Sequence, residues 1–114
     1  MAVKYILRLP DPSQARGAEP SLSFTSDGAD GLAAELQAAL RDDTLFQRWR
    51  AMQEDPDEVD EALGATDPAA SVVGRQEDLK IELHATTSIS SSILKQRLKW
   101  LAGDHWVLAD VRNP

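Results

Sequence analysis

The stretch LKIELHATTSISSSILKQRLKWLAGDHWVLADV, residues 79–111, decides the fold. Leu79, Ile81, Leu83 and Ala85 alternate with Lys80, Glu82 and His84, the period of a strand with one wet face. Hydroxyl-bearing residues from Thr86 to Ser92 form a turn with several candidate N-caps. A helix then runs to about Ala102, where Gly103 can stop it, with Leu94, Leu98 and Leu101 as its sheet-facing stripe. Trp106 to Val111 reads as a closing strand. A strand–helix–strand run of this length predicts two parallel strands joined by a right-handed crossover.

Working outward, Ser71 to Val73 offers a short partner strand before this unit. Val3, Tyr5, Leu7 and Leu9 alternate with Lys4, Ile6 and Arg8, which predicts a first strand. Pro10, Pro12, Gly17 and Pro20 punctuate a loop long enough to be mobile. Leu22 and Phe24, set between Ser21, Ser23 and Thr25, predict a short second strand paired with the first as a long-looped hairpin. Asp27 to Asp30 supplies N-caps for a helix carrying Leu32, Leu36 and Leu40. Leu45, Phe46, Trp49 and Met52 continue the helical spacing, but on nearly the opposite side of a straight helix. Thr44 followed by Gln47 is a capping-box pattern, so two helices with a bend at Asp42-Asp43 are expected. Asp55-Pro56 then predicts a third, short acidic helix anchored by Val59 and Leu63 and stopped by Gly64. Residues 64–70 read as a connector. The sum is a single α+β domain over residues 1–114. Its mixed sheet of about four strands has helices on one face, and the order is compatible with a split-βαβ (ferredoxin-like) topology.

The composition agrees with one ordinary globular domain: 114 residues, 42% apolar and 27% charged. No stretch approaches the ~18 uninterrupted apolar residues of a membrane span, and Lys4 and Arg8 break up the apolar start, leaving no secretory h-region. Cysteine is absent. That removes disulfides, thiolate nucleophiles and Cys-based metal sites, and a reducing cytoplasm fits best.

Charge is regional. Glu54, Asp55, Asp57, Glu58, Asp60 and Glu61 fall within eight residues, and Glu54 to Asp78 holds nine acids against Arg75 alone. That segment carries −8 of a net −7, so the remainder sums to +1. Such a surface repels nucleic acid and anionic membrane and suits a basic partner. Calcium loops need alternating oxygen ligands around a glycine, and Asp57-Glu58-Val59-Asp60-Glu61 has neither, so no metal is expected. Like charges at i, i+4 cost a helix about 0.2–0.5 kcal/mol per pair.

The remaining constellations carry little chemistry. His84 and His105 are placed at opposite edges of the sheet by the crossover, which argues against a two-His metal site or proton relay. Ser88, Ser90, Ser91 and Ser92 lack the Gly-x-Ser-x-Gly or Gly-Lys-Ser/Thr frame of a hydrolase or phosphate loop and serve as caps, with an anion site at the Thr86–Ser92 turn as the alternative. Ile93 and Trp100 form a ridge turned away from the leucine stripe, either packed on the Trp49 helix or exposed as an interface anchor. Lys95, Arg97 and Lys99 point in different directions, and the wet strand face lacks the stacking aromatics of an RNA platform. The expectation is a non-enzymatic protein without cofactors that works by protein–protein contact. Glu54, Asp57, Glu58 and Glu61 are its main surface, Ile93 and Trp100 its second. A homodimeric or accessory subunit is the alternative.

Overall fold

Alternation along β1 (Val3–Leu9) puts Tyr5, Leu7 and Leu9 on one face and Lys4, Ile6 and Arg8 on the other, and this strand becomes the centre of the sheet. The computed structural model describes residues 2–114; Met1 lies outside the described residues. The other strands are β2 (Ser71–Glu77), β3 (Lys80–Thr87) and β4 (Val107–Arg112), and the helices are α1 (Ala29–Arg41), α2 (Thr44–Ala51) and α3 (Ser91–Ala102). The molecule is an α+β domain with the strand order β2-β3-β1-β4. Every neighbouring pair is antiparallel, so the expected mixed sheet is antiparallel throughout. β3 and β4, linked through α3, do run the same way, but β1 lies between them. A register shift at Ile6/Leu7 bulges the β1–β4 pair. Among the described residues no helix is long and apolar enough to cross a membrane.

One apolar cluster joins the layers. Leu7, Leu9, Ile81 and Leu83 from the sheet meet Leu32, Leu36 and Leu40 from α1 and Leu94, Leu98 and Leu101 from α3. Burying each such leucine stabilises the fold by about 1.5–3 kcal/mol. α1 rests directly on β2: a Cβ at Gly74 would stand 2.2 Å from the Ala29 carbonyl oxygen, so only glycine permits this approach. The far face of the sheet carries Lys4, Ile6, Arg8, Val73, Arg75, Glu82, His84, Thr86, Asp110 and Arg112.

The bend between α1 and α2 falls at Asp42-Asp43 as expected, with the cap moved by one residue. Asp42 Oδ1 accepts the Thr44 N–H (3.0 Å), and Gln47 Nε2 donates to Asp43 Oδ2 (3.1 Å). α3 ends at Gly103, whose φ of 63° lies where side chains are strained.

Three expectations fail for identifiable reasons. Leu22 and Phe24 form no strand. Both are buried, and the Phe24 N–H donates to the Leu101 carbonyl (2.9 Å), so the alternation reflects two side chains dipping into the core beside α3. The acidic helix is replaced by two 3-10 turns, Pro56–Glu58 and Glu61–Gly64, with Val59 extended between them. A helix there would hold like charges over only two apolar anchors. Leu79 lies outside β3. It sits exposed in the turn between Glu77 and Lys80, where Asp78 takes a φ of 55°, and β2 runs on to Glu77 rather than stopping at Val73. The loop after β1 is tied down as well. Ala15 is buried, and Arg16 donates to the Ser26 carbonyl (3.0 Å) and to Asp27 (2.6 Å).

Candidate functional site

The acidic segment follows the end of α2 and folds back over it. Pro56 opens the first turn, and the arginine at position 50 gathers what comes next. Arg50 Nε donates to the Pro56 carbonyl (2.9 Å), and its Nη2 lies 3.7 Å from Asp57 and 4.0 Å from Glu61. Asp60 starts the second turn by accepting the Ala62 N–H (2.9 Å). Val59 and Leu63 reach down to the core. The expected contact residues therefore divide. Asp57 and Glu61 lean on Arg50, whereas Glu54 and Glu58, with Asp55, make no side-chain hydrogen bond or ion pair among the described residues. All of these carboxylates are exposed.

Beside the turns, α2 and α3 meet through aromatics. Trp49 stacks on Trp100 with centroids 5.0 Å apart, and Phe46 stands 6.0 Å from Trp49. Trp100 is only 7% exposed, so it is packing rather than a surface anchor, and Ile93 is half-buried against the core. The stack forms one wall of a groove of about 400 Å³ that also includes Met52, Gln53 and Leu22. Met52, expected in the core stripe, is 47% exposed there, two residues before Glu54.

Arg97 is the residue whose position the spacing hinted at without resolving. It is fully buried. Its Nη2 donates to the Ala65 carbonyl at the end of the second acidic turn (2.7 Å), and its guanidinium lies 5.9 Å from the centre of the Trp100 ring. Among the described residues Nε and Nη1 have no hydrogen-bond partner. Burial pushes the Arg97 pKa down, and the negative charge of Asp43 opposes that. A buried cation without a contacting carboxylate is costly, and the charge of Asp43 offsets part of that cost.

The Thr86–Ser92 turn already holds an anion of the chain's own. Asp67 Oδ2 accepts the Thr87 hydroxyl (2.8 Å) and the Ser88 N–H (2.9 Å), while the Asp67 N–H donates to the Leu40 carbonyl (2.8 Å). The bond from the Ser88 N–H, followed by that from Thr87, holds the Asp67 carboxyl below the usual carboxylate range. His84 lies mid-strand in register with Ile6 and Val73 rather than near a strand end, and His105 precedes β4 with its N–H donated to Ala102. Among the described residues no three His, Cys, Asp or Glu side chains gather as metal ligands. Set against protein-family models, curated proteins and solved structures, the chain matches none of them, and its function has to be argued from this geometry.

Proposed function

We propose that this chain is a non-enzymatic docking module that binds a protein partner through the acidic turns and the adjoining groove. The observation that carries the reading is the juxtaposition at Met52–Glu58. The unpaired carboxylates of Glu54 and Asp55 follow directly on Met52 and Gln53, which line a groove walled by Trp49 and Trp100 and bordered by Glu19 and Lys99. An apolar floor inside a charged rim is the usual anatomy of an interface. The partner it suits presents a basic segment with one apolar side chain for the groove, and its association is fast and salt-sensitive. The same −8 segment argues against nucleic acid and anionic membrane as partners. Work in the reducing cytoplasm belongs to the proposal and is supported by the absence of cysteine.

The test is capture from native lysate by the wild type beside Glu54→Lys/Glu58→Lys, read by mass spectrometry. This pair leaves both Arg50 contacts in place, unlike a variant that also reverses Asp57 and Glu61. A protein held by the wild type, released by salt and absent from the variant is the expected result. Identical captures with an intact fold would refute the reading.

A second reading, self-association, is favoured by β4. It is an edge strand whose Val107 and Val111 are each half-exposed. Light scattering that shows a monomer across micromolar concentrations removes it.

A further inference from the structure

The sheet face turned away from the helices holds a second charged cluster, built by register rather than by sequence proximity. Cross-strand pairing sets Ser71, Thr86 and Lys4 in one row, Val73, His84 and Ile6 in the next, and Arg75, Glu82 and Arg8 in a third. Six of these residues (Lys4, Ser71, Val73, Arg75, His84 and Thr86) enclose a cavity of about 140 Å³. Its wall contains two obligate cations, an imidazole and two hydroxyls, and no carboxylate.

The acids of the adjoining rows are already engaged: Asp110, beyond β1, accepts from Arg112 Nε (2.6 Å). Glu82 accepts from Arg8 Nη2 (3.1 Å) and meets His84 Nε2 (3.2 Å). Those two contacts, Arg8 first, hold its carboxyl below the usual range. Glu82 thereby fixes the His84 ring, whose side chain is 11% exposed, through one nitrogen. Because Nε2 faces a carboxylate it carries the hydrogen, which leaves Nδ1 an acceptor, buried with no partner among the described residues. Lys4 and Arg75 make no ion pair and no side-chain hydrogen bond among the described residues. Lys4 from β1 and Arg75 from β2 reach the cavity from either side of β3 without an ion pair, and a buried ring nitrogen without a partner is costly. An oxyanion that keeps one O–H answers both, its oxygens accepting from the cations and its hydroxyl donating to Nδ1.

We propose that this cavity binds one small tetrahedral oxyanion, of the size and charge of inorganic phosphate. The donors are Lys4, Arg75 and the Ser71 and Thr86 hydroxyls, and His84 Nδ1 accepts from the O–H that the ion retains. Guanidinium and hydroxyl groups favour oxygen acceptors over a halide. The volume admits the ion itself but falls short of the roughly 300–1,000 Å³ typical of sites for larger organic ligands. This site lies in the opposite layer from the acidic turns and is independent of the docking proposal.

Phosphate titration of the full chain, followed by amide and histidine-ring NMR at constant ionic strength against chloride, tests the site. Expected are saturable shifts at Ser71, Arg75, His84 and Thr86 with phosphate and none with chloride. Arg75→Ala, an exposed edge-strand change, weakens the response at least about tenfold, as loss of a charge-assisted contact should. Lys4→Gln gives a second reading of the same loss. Lys99→Ala, exposed on α3 in the helical layer, binds like the wild type. Absence of saturable shifts, an equal response to chloride, or unchanged binding by folded Arg75→Ala and Lys4→Gln each overturns the proposal.

Discussion

The acidic turns over α2 and the uncovered face of the sheet both bring charge to the surface, by different routes. The turns draw their carboxylates from eight consecutive residues and hold them through Arg50, one capped turn and two apolar anchors. The sheet face draws Lys4, Arg75, His84 and Thr86 from three strands whose pairing fixes every spacing. A surface with few ties opens at low cost in free energy, which suits a protein partner that must settle against it. A surface set by a strand ladder is pre-organised, which suits a small ion.

The largest expected effect lies beneath the acidic turns. Arg97→Ala removes a fully buried side chain and its bond to Ala65, and should cost about 2–4 kcal/mol in urea unfolding. Arg97→Met should recover most of that loss, because a well-packed apolar chain replaces a poorly compensated buried charge. If the methionine variant is as weak as the alanine one, the cation itself sustains this region and the contrast with the sheet face sharpens.

A middle-sized effect separates the two regions by pH. Asp67 serves the connector after the acidic turns and Glu82 the sheet face, and both have folded pKa values depressed below their unfolded ones. Each therefore contributes stability that is fully present above the unfolded carboxylate pKa, about 4, and is lost as pH falls through the folded value. Unfolding free energies between about pH 2 and 7 should decline on the acid side, with a shallower decline in Asp67→Asn and in Glu82→Gln. From its hydrogen bonds, Asp67→Asn should also cost about 1–2 kcal/mol at neutral pH. An acid limb that neither variant alters would break the argument.

The smallest effect is at Arg50. Arg50→Gln should change global stability by no more than about 1 kcal/mol, as partly exposed ion pairs do. Amide exchange should still quicken across residues 57–63 and stay unchanged in the strands. Uniform exchange across both regions would mean that Arg50 does not tether the turns.

The contrast also explains what was legible. Contiguous signals were read correctly: the alternation in β1, the break at Asp42-Asp43, the leucine stripe of α3 and its stop at Gly103. The acidic run was visible for the same reason. Leu22 and Phe24 misled because two alternating apolar residues fit a strand and a core-dipping loop equally well. The acidic helix failed because its propensity had no packed face behind it. Arg50 as a tether, Asp67 as a staple and the cluster around His84 depend on which residues become neighbours across 6 to 80 positions of chain, and periodicity holds no record of that.

The central place of β1 bears on the order in which the chain can fold. It is the earliest strand, yet both of its neighbours come from the last third, with β3 beginning at Lys80 and β4 ending at Arg112. Until those residues are available, β1 has no partner, and its apolar side chains rest only on whatever helical structure has gathered. Closing the sheet then joins strands more than 70 residues apart, a contact that slows folding because a long loop must be ordered first. β3 gives β1 its first partner once the chain has reached Thr87, and β4 closes the other side of β1 last.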